Sequence, residues 1–222
     1  MQSKACLVIG ASKENQNWDF IKGYINYRDR ESHYVYCADG GVENAYALGI
    51  TPNMIIGDYD SISIEPLDIP NKGLKPGMIT LPREKDETDL FACVLDGLEK
   101  GFEDFILMCC TGGRLDHFMG ALAILEYLNL KKAKGLIIDN KNVIMFLKNG
   151  SLTLDKDEKF KYLSIIPLDE TICGVSTKGL AYTLDRETLY REKGLGISNE
   201  IIGESGRVSI EKGSALIIRS LD

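Results

Sequence analysis

The 222-residue sequence predicts an α/β fold in which a mostly parallel, doubly wound sheet with flanking helices precedes a small antiparallel β domain. As far as about residue 147, short apolar runs alternate with segments whose apolar residues recur at helical spacing. Strands that alternate with helices in this way build a parallel sheet. Beyond Lys148–Ser151, apolar residues alternate at every second position and turn residues recur. That second pattern predicts strands without helices from about residue 151 to residue 222.

The first part divides into seven apolar runs and four helical segments. The runs predict strands at 5–9, 34–37, 54–56, 78–81, 105–109, 135–138 and 142–147. The helical spacing predicts helices at 18–27, 42–48, 88–98 and 115–128, and Gly49 and Gly101 end two of them.

The second part reads as short strands joined by turns. Its alternating segments lie at 151–154, 162–167, 179–184 and 207–218. The sequence GluLysGlySer between Ile210 and Ala215 is typical of a turn, so the closing segment is predicted to be a hairpin.

The bulk composition excludes several classes of protein. A net charge of −7 disfavours a nucleic-acid or anionic-membrane surface, because phosphate backbones require clustered Lys and Arg. No apolar run approaches a membrane span, and the N-terminal run is too short for a signal peptide. The six cysteines form no Cys-x-x-Cys pair, which predicts buried free thiols in a reducing cytoplasm and no structural zinc site.

Four segments place carboxylates beside glycine or hydroxyl residues, and three of them directly follow predicted strands. Two carboxylates about 4 Å apart repel by about 4 kcal/mol at an effective dielectric near 20, so such a cluster favours a bound cation. Mg²⁺ held by carboxylates and completed by phosphate oxygens suits this pattern. The carboxylates are Asp39, Asp58, Asp60, Asp86, Asp89 and Asp116.

Two glycine pairs precede predicted helices. Free N–H groups at Gly40–Gly41 and Gly112–Gly113 are therefore predicted to meet phosphate oxygens, although each pair also suits a simple tight turn. Arg114 is a candidate planar donor fork for the same phosphates, and a solvated surface arginine is the alternative. His117 is a candidate nucleotide contact or acid, and a structural histidine is the alternative.

The spacing of the aspartates constrains their cooperation. On an ideal strand Asp58 and Asp60 face opposite sides, so the chain is expected to turn beside Gly57. Asp86 and Asp89 fall on one face of a helix start, where helix capping is the alternative explanation. No Walker-type loop or Gly-x-Gly-x-x-Gly sequence is present.

Two further segments complete the set, GlyLeuAlaTyrThrLeu at 179–184 and GlyIleSerAsnGlu at 196–200. They follow the four acidic segments, which lie at 38–44, 57–61, 85–89 and 111–117. In this order and spacing they resemble the bacterial type of the thiamine pyrophosphokinase (thiamine diphosphokinase) family. The resemblance implies a Rossmann-like α/β nucleotide domain at 1–147 and a thiamine-binding and dimerisation β-sandwich domain at 148–222. It also implies a homodimer with thiamine at the subunit interface, and transfer of a diphosphate group from ATP to thiamine with release of AMP.

Residue by residue, the resemblance makes Asp58, Asp60 and Asp89 ligands of Mg²⁺, with Asp86 beside them. Tyr182, Ser198 and Asn199 match thiamine-binding positions, and Tyr182 stands where animal members carry a tryptophan that packs on thiamine. A tyrosine still stacks on the cationic thiazolium, though less strongly. The nucleotide-binding candidates are Asp39, Gly40, Gly41, Thr111, Gly112, Gly113, Arg114, Asp116 and His117.

The resulting hypothesis is attack of the thiamine hydroxyl on the β-phosphorus of ATP, with one carboxylate that binds no metal, Asp86 or Asp58, accepting the proton. The sequence does not choose between these two bases, between Mg²⁺ and Mn²⁺, or among nucleotides and thiamine analogues. Asp60→Asn is predicted to abolish turnover without unfolding the protein. A Mg²⁺-dependent phosphohydrolase and a non-catalytic nucleotide sensor are the alternatives, and AMP formation that requires thiamine distinguishes the first of these.

Overall fold

The computed structural model describes residues 5–14, 17–28, 33–59, 76–82, 84 and 86–222. The chain forms two compact units, Met1–Asn140 and Lys141–Asp222.

The first unit is built on a parallel sheet. Its described strands are β1 (Ala5–Ile9), β2 (Tyr34–Ala38), β3 (Met54–Gly57), β4 (Gly77–Thr80), β5 (Asp104–Met108) and β6 (Lys134–Ile138). Their spatial order is β4-β3-β2-β1-β5-β6, and each neighbouring pair is parallel. Its described helices are α1 (Trp18–Arg28), α2 (Gly41–Leu48), α3 (Asp89–Glu99) and α4 (Leu115–Leu130).

The strand order reverses between β1 and β5. From β1 the chain builds outward through β2, β3 and β4, and it then continues on the other side of β1 with β5 and β6. Loops that follow two such strands diverge and leave a crevice at the carboxyl edge of the sheet, where open α/β sheets bind ligands.

Central strands of this sheet are almost wholly apolar because they are buried on both faces. All five residues of β1 are buried, as are the last four of β2 and of β5. The buried Tyr36 hydroxyl donates to Asp96 of α3, which also binds Lys100. This contact fixes α3 against β2 and so fixes the position of Asp89 at the start of the helix.

The second unit consists of antiparallel strands. These are β7 (Asn142–Asp155), β8 (Tyr162–Pro167), β9 (Thr171–Lys178), β10 (Glu187–Tyr190) and β11 (Ser205–Ser220). The long strand β11 pairs with β7, β8 and β9, and β10 pairs with β9. Alternating residues such as Leu163, Ile165 and Ile217 form its buried core. The fold class predicted from the sequence is confirmed in both units.

Two predictions about strands of the second unit are wrong. The segment 179–184 forms no strand, and only its Leu180 makes an isolated bridge, to Ile201. The predicted hairpin turn at 211–214 is wrong, because β11 continues through it and pairs with β7 on both sides of a register shift between Ile210 and Ser214. Gly213, at φ 111, donates its N–H to Asn149, and Asp169 accepts from the Ser214 N–H. The glycine therefore forms a bulge and not a reversal.

The two units divide between Asn140 and Lys141, whereas the sequence analysis expects the first domain to run to residue 147. The run 142–147, which that analysis assigned to the first domain, is the opening half of β7 and belongs to the second unit. Within the described ranges, no helix combines the length and the apolar character that crossing a membrane requires.

Candidate functional site

A cavity of about 840 Å³ opens at the carboxyl edge of the parallel sheet. Its walls come from the loops that follow β1, β2, β3 and β5 and from the first residues of α3 and α4. It lies at the reversal of strand order between β1 and β5, as expected for a ligand site in this type of sheet.

The cavity gathers many of the residues that the sequence analysis selected. Asp86 is exposed and does not line the cavity, and Asp60 falls outside the described residues. Thr111 and Asp116, and the pair Gly40–Gly41, are also not part of the described cavity wall. The predicted residues that line it are Asp39, Asp58, Asp89, Gly112, Gly113, Arg114 and His117.

The backbone adopts an unusual conformation where three strands end at this cavity. Asp39, Tyr59 and Cys109 follow β2, β3 and β5 and have φ angles of 47°, 65° and 56°. Non-glycine residues in this left-handed region cost about 1–3 kcal/mol each and concentrate at functional sites. The positive φ of Tyr59 supplies the chain turn that the sequence analysis expected beside Gly57.

Asp39 braces the loop that carries Asp58. Asp39 is only 8% exposed, and its Oδ1 accepts a hydrogen bond of 3.1 Å from the Tyr59 N–H. A Cβ on Gly57 would lie 2.9 Å from the Asp39 Cα, so glycine is required for this close approach. Asp39 therefore uses one carboxylate oxygen to hold the neighbouring loop.

The loop after β5 presents glycine amides and a guanidinium to the cavity. Gly112 and Gly113 have φ angles of 82° and 61°, a conformation that suits glycine. The Arg114 side chain makes two hydrogen bonds to Asp116, at 3.1 and 2.6 Å. This pairing lowers the pKa of Asp116 to about 2, so the ion pair persists to a lower pH than the ordinary pKa of an aspartate would allow.

The first glycine pair is placed differently. A Cβ on Gly41 would lie 2.1 Å from the Ile9 carbonyl oxygen, so glycine lets the start of α2 pack against the end of β1. Gly41 is buried, and this close packing accounts for the presence of glycine at position 41.

At the start of α3, one residue caps the helix and its neighbours line the cavity. Thr88 caps the helix, since its side chain accepts a hydrogen bond of 3.3 Å from the Phe91 N–H. The helix-capping role that the sequence analysis considered for Asp86 and Asp89 is therefore performed by Thr88. Asp89 and Glu87 line the cavity instead.

Sequence reasoning missed the loop that follows β1. Ser12, Lys13 and Glu14 line the cavity, and buried Asn44 donates to the carbonyl oxygens of Gly10 and Ser12. This loop lacks the glycine-rich turn that marks phosphate sites. The sequence signal that could have identified this loop is its position directly after the first predicted strand.

The adjacent thiols of Cys109 and Cys110 also line the cavity. Burial raises the pKa of the Cys109 thiol well above its usual value and that of Cys110 to about 12. Both thiols are protonated at neutral pH and do not act as nucleophiles, in agreement with the packing role predicted from the sequence.

The donor chemistry of the cavity fits a hard divalent cation. Asp39, Asp58, Glu87 and Asp89 all line it, and carboxylate oxygens are the ligands that Mg²⁺ prefers. Within the part of the chain that the structure describes, no three acidic, histidine or cysteine side chains are already arranged around one point. Asp60, the remaining member of the predicted ligand set, lies outside that part.

The three thiamine-side candidates meet on one surface of the second unit. Asn199 is 7% exposed, and its side chain accepts from the Tyr182 N–H at 2.9 Å and donates to the Tyr182 carbonyl at 2.6 Å. Tyr182 itself is 70% exposed. Ser198 is exposed beside them with φ 59. Asn199 thus fixes the backbone that presents the tyrosine ring.

Comparison with known protein families matches both units. Residues 27–138 match the family "Thiamin pyrophosphokinase, catalytic domain", and residues 151–216 match "Thiamin pyrophosphokinase, vitamin B1 binding domain".

Individual relatives agree with the family match. Thiamine pyrophosphokinase of Bacillus subtilis is 33% identical over 205 residues, which cover 92% of this chain and 94% of the relative. A crystal structure of the B. subtilis protein matches with a TM-score of 0.87, at 31% identity and 99% coverage of both chains. A crystal structure of thiamin pyrophosphokinase from Geobacillus thermodenitrificans matches with a TM-score of 0.83, at 28% identity and 98% coverage of both chains.

Proposed function

The chain belongs to the thiamine pyrophosphokinase family, and on this premise we propose that its cavity transfers the diphosphate group of ATP to the hydroxyl of thiamine. The products are thiamine diphosphate and AMP. The observation that carries the proposal is the joint presence of three aspartates, a glycine loop and an arginine in one cavity at the switch point of the sheet.

The nucleotide phosphates are assigned to the loop after β5. The amides of Gly112 and Gly113 and the fork of Arg114 are hydrogen-bond donors in the cavity wall. Oriented backbone amides and a guanidinium bind phosphate oxygens strongly, because each bond is charge-assisted. Asp116 holds the Arg114 fork in a fixed geometry before the nucleotide arrives.

The acidic side of the cavity is assigned to a divalent cation. Asp58 and Asp89, with Asp60 from the adjoining segment, would hold Mg²⁺, which when bound neutralises phosphate charge and so favours attack at phosphorus. Asp39 supports this set by bracing the Asp58 loop.

The chain's own groups align the reactants and accept the proton. Alignment provides much of the acceleration in phosphoryl transfer, because the reacting atoms must lie in line. Of the two bases that the sequence left open, Asp58 lines the cavity and Asp86 does not. We therefore assign proton acceptance from the thiamine hydroxyl to the oxygen of Asp58 that the cation would leave free.

Tyr182 is assigned to the thiamine ring system. Tyr182→Ala is expected to raise the KM for thiamine about tenfold and to leave the KM for ATP unchanged, since stacking on a cationic ring contributes about 0.5–2 kcal/mol. Steady-state kinetics with each substrate varied in turn measures both constants. Tyr190→Ala, at another exposed tyrosine of the second unit, is the matched control. An unchanged KM for thiamine in Tyr182→Ala would contradict the assignment of the Tyr182 ring to the thiamine site.

A homodimer is the proposed assembly. The described residues of the second unit expose several large apolar side chains around Ser198, and grouped exposed apolar residues are typical of protein interfaces. They are Tyr182, Leu195, Ile197 and Ile202. Sedimentation velocity is expected to show a dimer at micromolar concentration, and Ile197→Asp is expected to shift it towards monomer. A monomeric wild type would contradict the assembly.

One assay tests the transfer reaction itself. The protein is incubated with ATP, Mg²⁺ and thiamine, and AMP and thiamine diphosphate are quantified. We expect both products in equal amounts, and no AMP when thiamine is omitted. AMP or ADP formation without thiamine would instead identify a phosphohydrolase.

A further inference from the structure

We propose that Glu14 competes with nucleotide phosphate for the backbone amide of Gly113 and so sets how tightly the cavity holds anionic ligands. The inference rests on the proposed placement of the ATP phosphates at the loop after β5. It gives a specificity-determining role to a residue outside every acidic motif of the sequence.

The geometry is that of an anion already seated on the loop. Glu14 Oε2 accepts a hydrogen bond of 2.8 Å from the Gly113 N–H. Both residues line the cavity, and the space beside the Gly113 Cα is open to 4 Å. A carboxylate oxygen and a phosphate oxygen place the same demand on a backbone amide, since both are anionic acceptors. A phosphate that binds Gly113 must therefore displace Glu14.

The loops do not depend on Glu14 to stay together. Ser12 Oγ donates to the Thr111 carbonyl at 2.7 Å, and the Ser12 N–H donates to the Cys109 carbonyl at 3.0 Å. Asn44 holds the Ser12 carbonyl from α2 at 2.9 Å. These bonds join the loops after β1 and β5 independently, so Glu14 can leave Gly113 without separating them.

The charge of Glu14 adds to its competition for the hydrogen bond. The neighbouring Lys13 ammonium lies 2.6 Å from Glu43 of α2. Five acidic side chains, Glu14 among them, line the described cavity wall against two cations, Lys13 and Arg114, so the wall is acidic overall. Binding of an anion that brings no cation is therefore weakened in two ways, because Glu14 occupies the Gly113 amide and because the acidic wall repels negative charge. Glu14 favours a metal-complexed polyphosphate over a bare anion.

The test compares Glu14→Ala, Glu14→Gln and wild type by calorimetric titration with inorganic pyrophosphate and with ATP, each without metal. Removing a charged competitor for one hydrogen bond is expected to lower the Kd for both probes about tenfold in Glu14→Ala. Glu14→Gln retains an acceptor without charge, so its Kd is expected to fall by about threefold. Thermal unfolding confirms that each variant is folded.

Two control variants separate competition from other effects. Asn44→Ala removes two bonds that hold the loop after β1, to the carbonyl oxygens of Gly10 and Ser12, without removing the bond between Glu14 and Gly113, and its Kd is expected to stay equal or rise. Glu99→Gln removes one negative charge at the exposed end of α3, and its Kd is expected to stay within about twofold of wild type.

The outcomes distinguish this role from the transfer reaction. Equal or weaker pyrophosphate binding by Glu14→Ala overturns the competition, even if wild type forms thiamine diphosphate and AMP. Tighter binding by Glu14→Ala supports it, and a parallel gain in Asn44→Ala would overturn it in favour of general loosening of the loops. A wild type that forms no thiamine diphosphate overturns the proposed function, while the pyrophosphate titration still decides whether Glu14 competes.

Discussion

Asp58→Asn is expected to lower the kcat for thiamine diphosphate formation about 10³-fold, comparable with the loss of one strong charge-stabilising group in other enzymes. Asp58 follows β3 directly and lines the cavity. The change removes a negative charge from the proposed cation site and the proposed proton acceptor at the same time. The amide side chain keeps the shape of the carboxylate, so the free energy of unfolding is expected to change by less than about 1 kcal/mol.

Initial-rate measurements of AMP release at saturating ATP and thiamine test this expectation. Glu99→Gln, at the far end of α3, controls for the loss of one acidic charge and is expected to retain wild-type kcat. Asp86→Asn decides between the two candidate bases. A loss in Asp86→Asn as large as that in Asp58→Asn would contradict the assignment of the base to Asp58.

Asp60→Asn provides a comparison at the residue that lies outside the described ranges. The sequence predicts that it abolishes turnover with the fold intact. If Asp58 both holds the cation and accepts the proton, added Mn²⁺ is expected to restore more activity to Asp60→Asn than to Asp58→Asn. The comparison therefore separates the two roles of Asp58.

The parallel sheet was predictable because its signal is local. Each buried strand of a doubly wound sheet is a short continuous apolar run, and each flanking helix repeats its apolar residues at helical spacing. Aspartates that directly follow such runs must lie at the carboxyl edge. That reasoning brought Asp39 and Asp58 to the cavity without knowledge of the strand order.

The remaining features depend on contacts between distant segments. Glu14 reaches Gly113 across 99 positions of the sequence, and only the order of β1 and β5 in the sheet brings them together. Gly213 forms a bulge because Asn149 accepts its N–H, a partner that no local pattern near Gly213 reveals. A glycine in a local pattern indicates an unusual backbone or a close approach without showing which of them applies.

Gly41→Ala is expected to lower the free energy of unfolding of the first unit by about 3 kcal/mol, at the upper end of the usual cost of overpacking. The added Cβ would lie 2.1 Å from the Ile9 carbonyl oxygen and 3.1 Å from that of Gly10. Both neighbours are backbone atoms at the end of the central strand β1, so no side chain can move aside to relieve the contact. Either α2 or the end of β1 must shift.

Urea denaturation followed by fluorescence measures this loss, because Trp18 is the one tryptophan of the chain and lies in α1 of the first unit. Gly120→Ala is the matched control. A Cβ there meets nothing within 4 Å, and alanine in a helix interior is expected to add about 0.5–1 kcal/mol of stability. Opposite signs for the same substitution would show that backbone packing sets the shape of this turn. A Gly41→Ala protein as stable as wild type would contradict that explanation and return Gly41 to the phosphate-binding role predicted from the sequence.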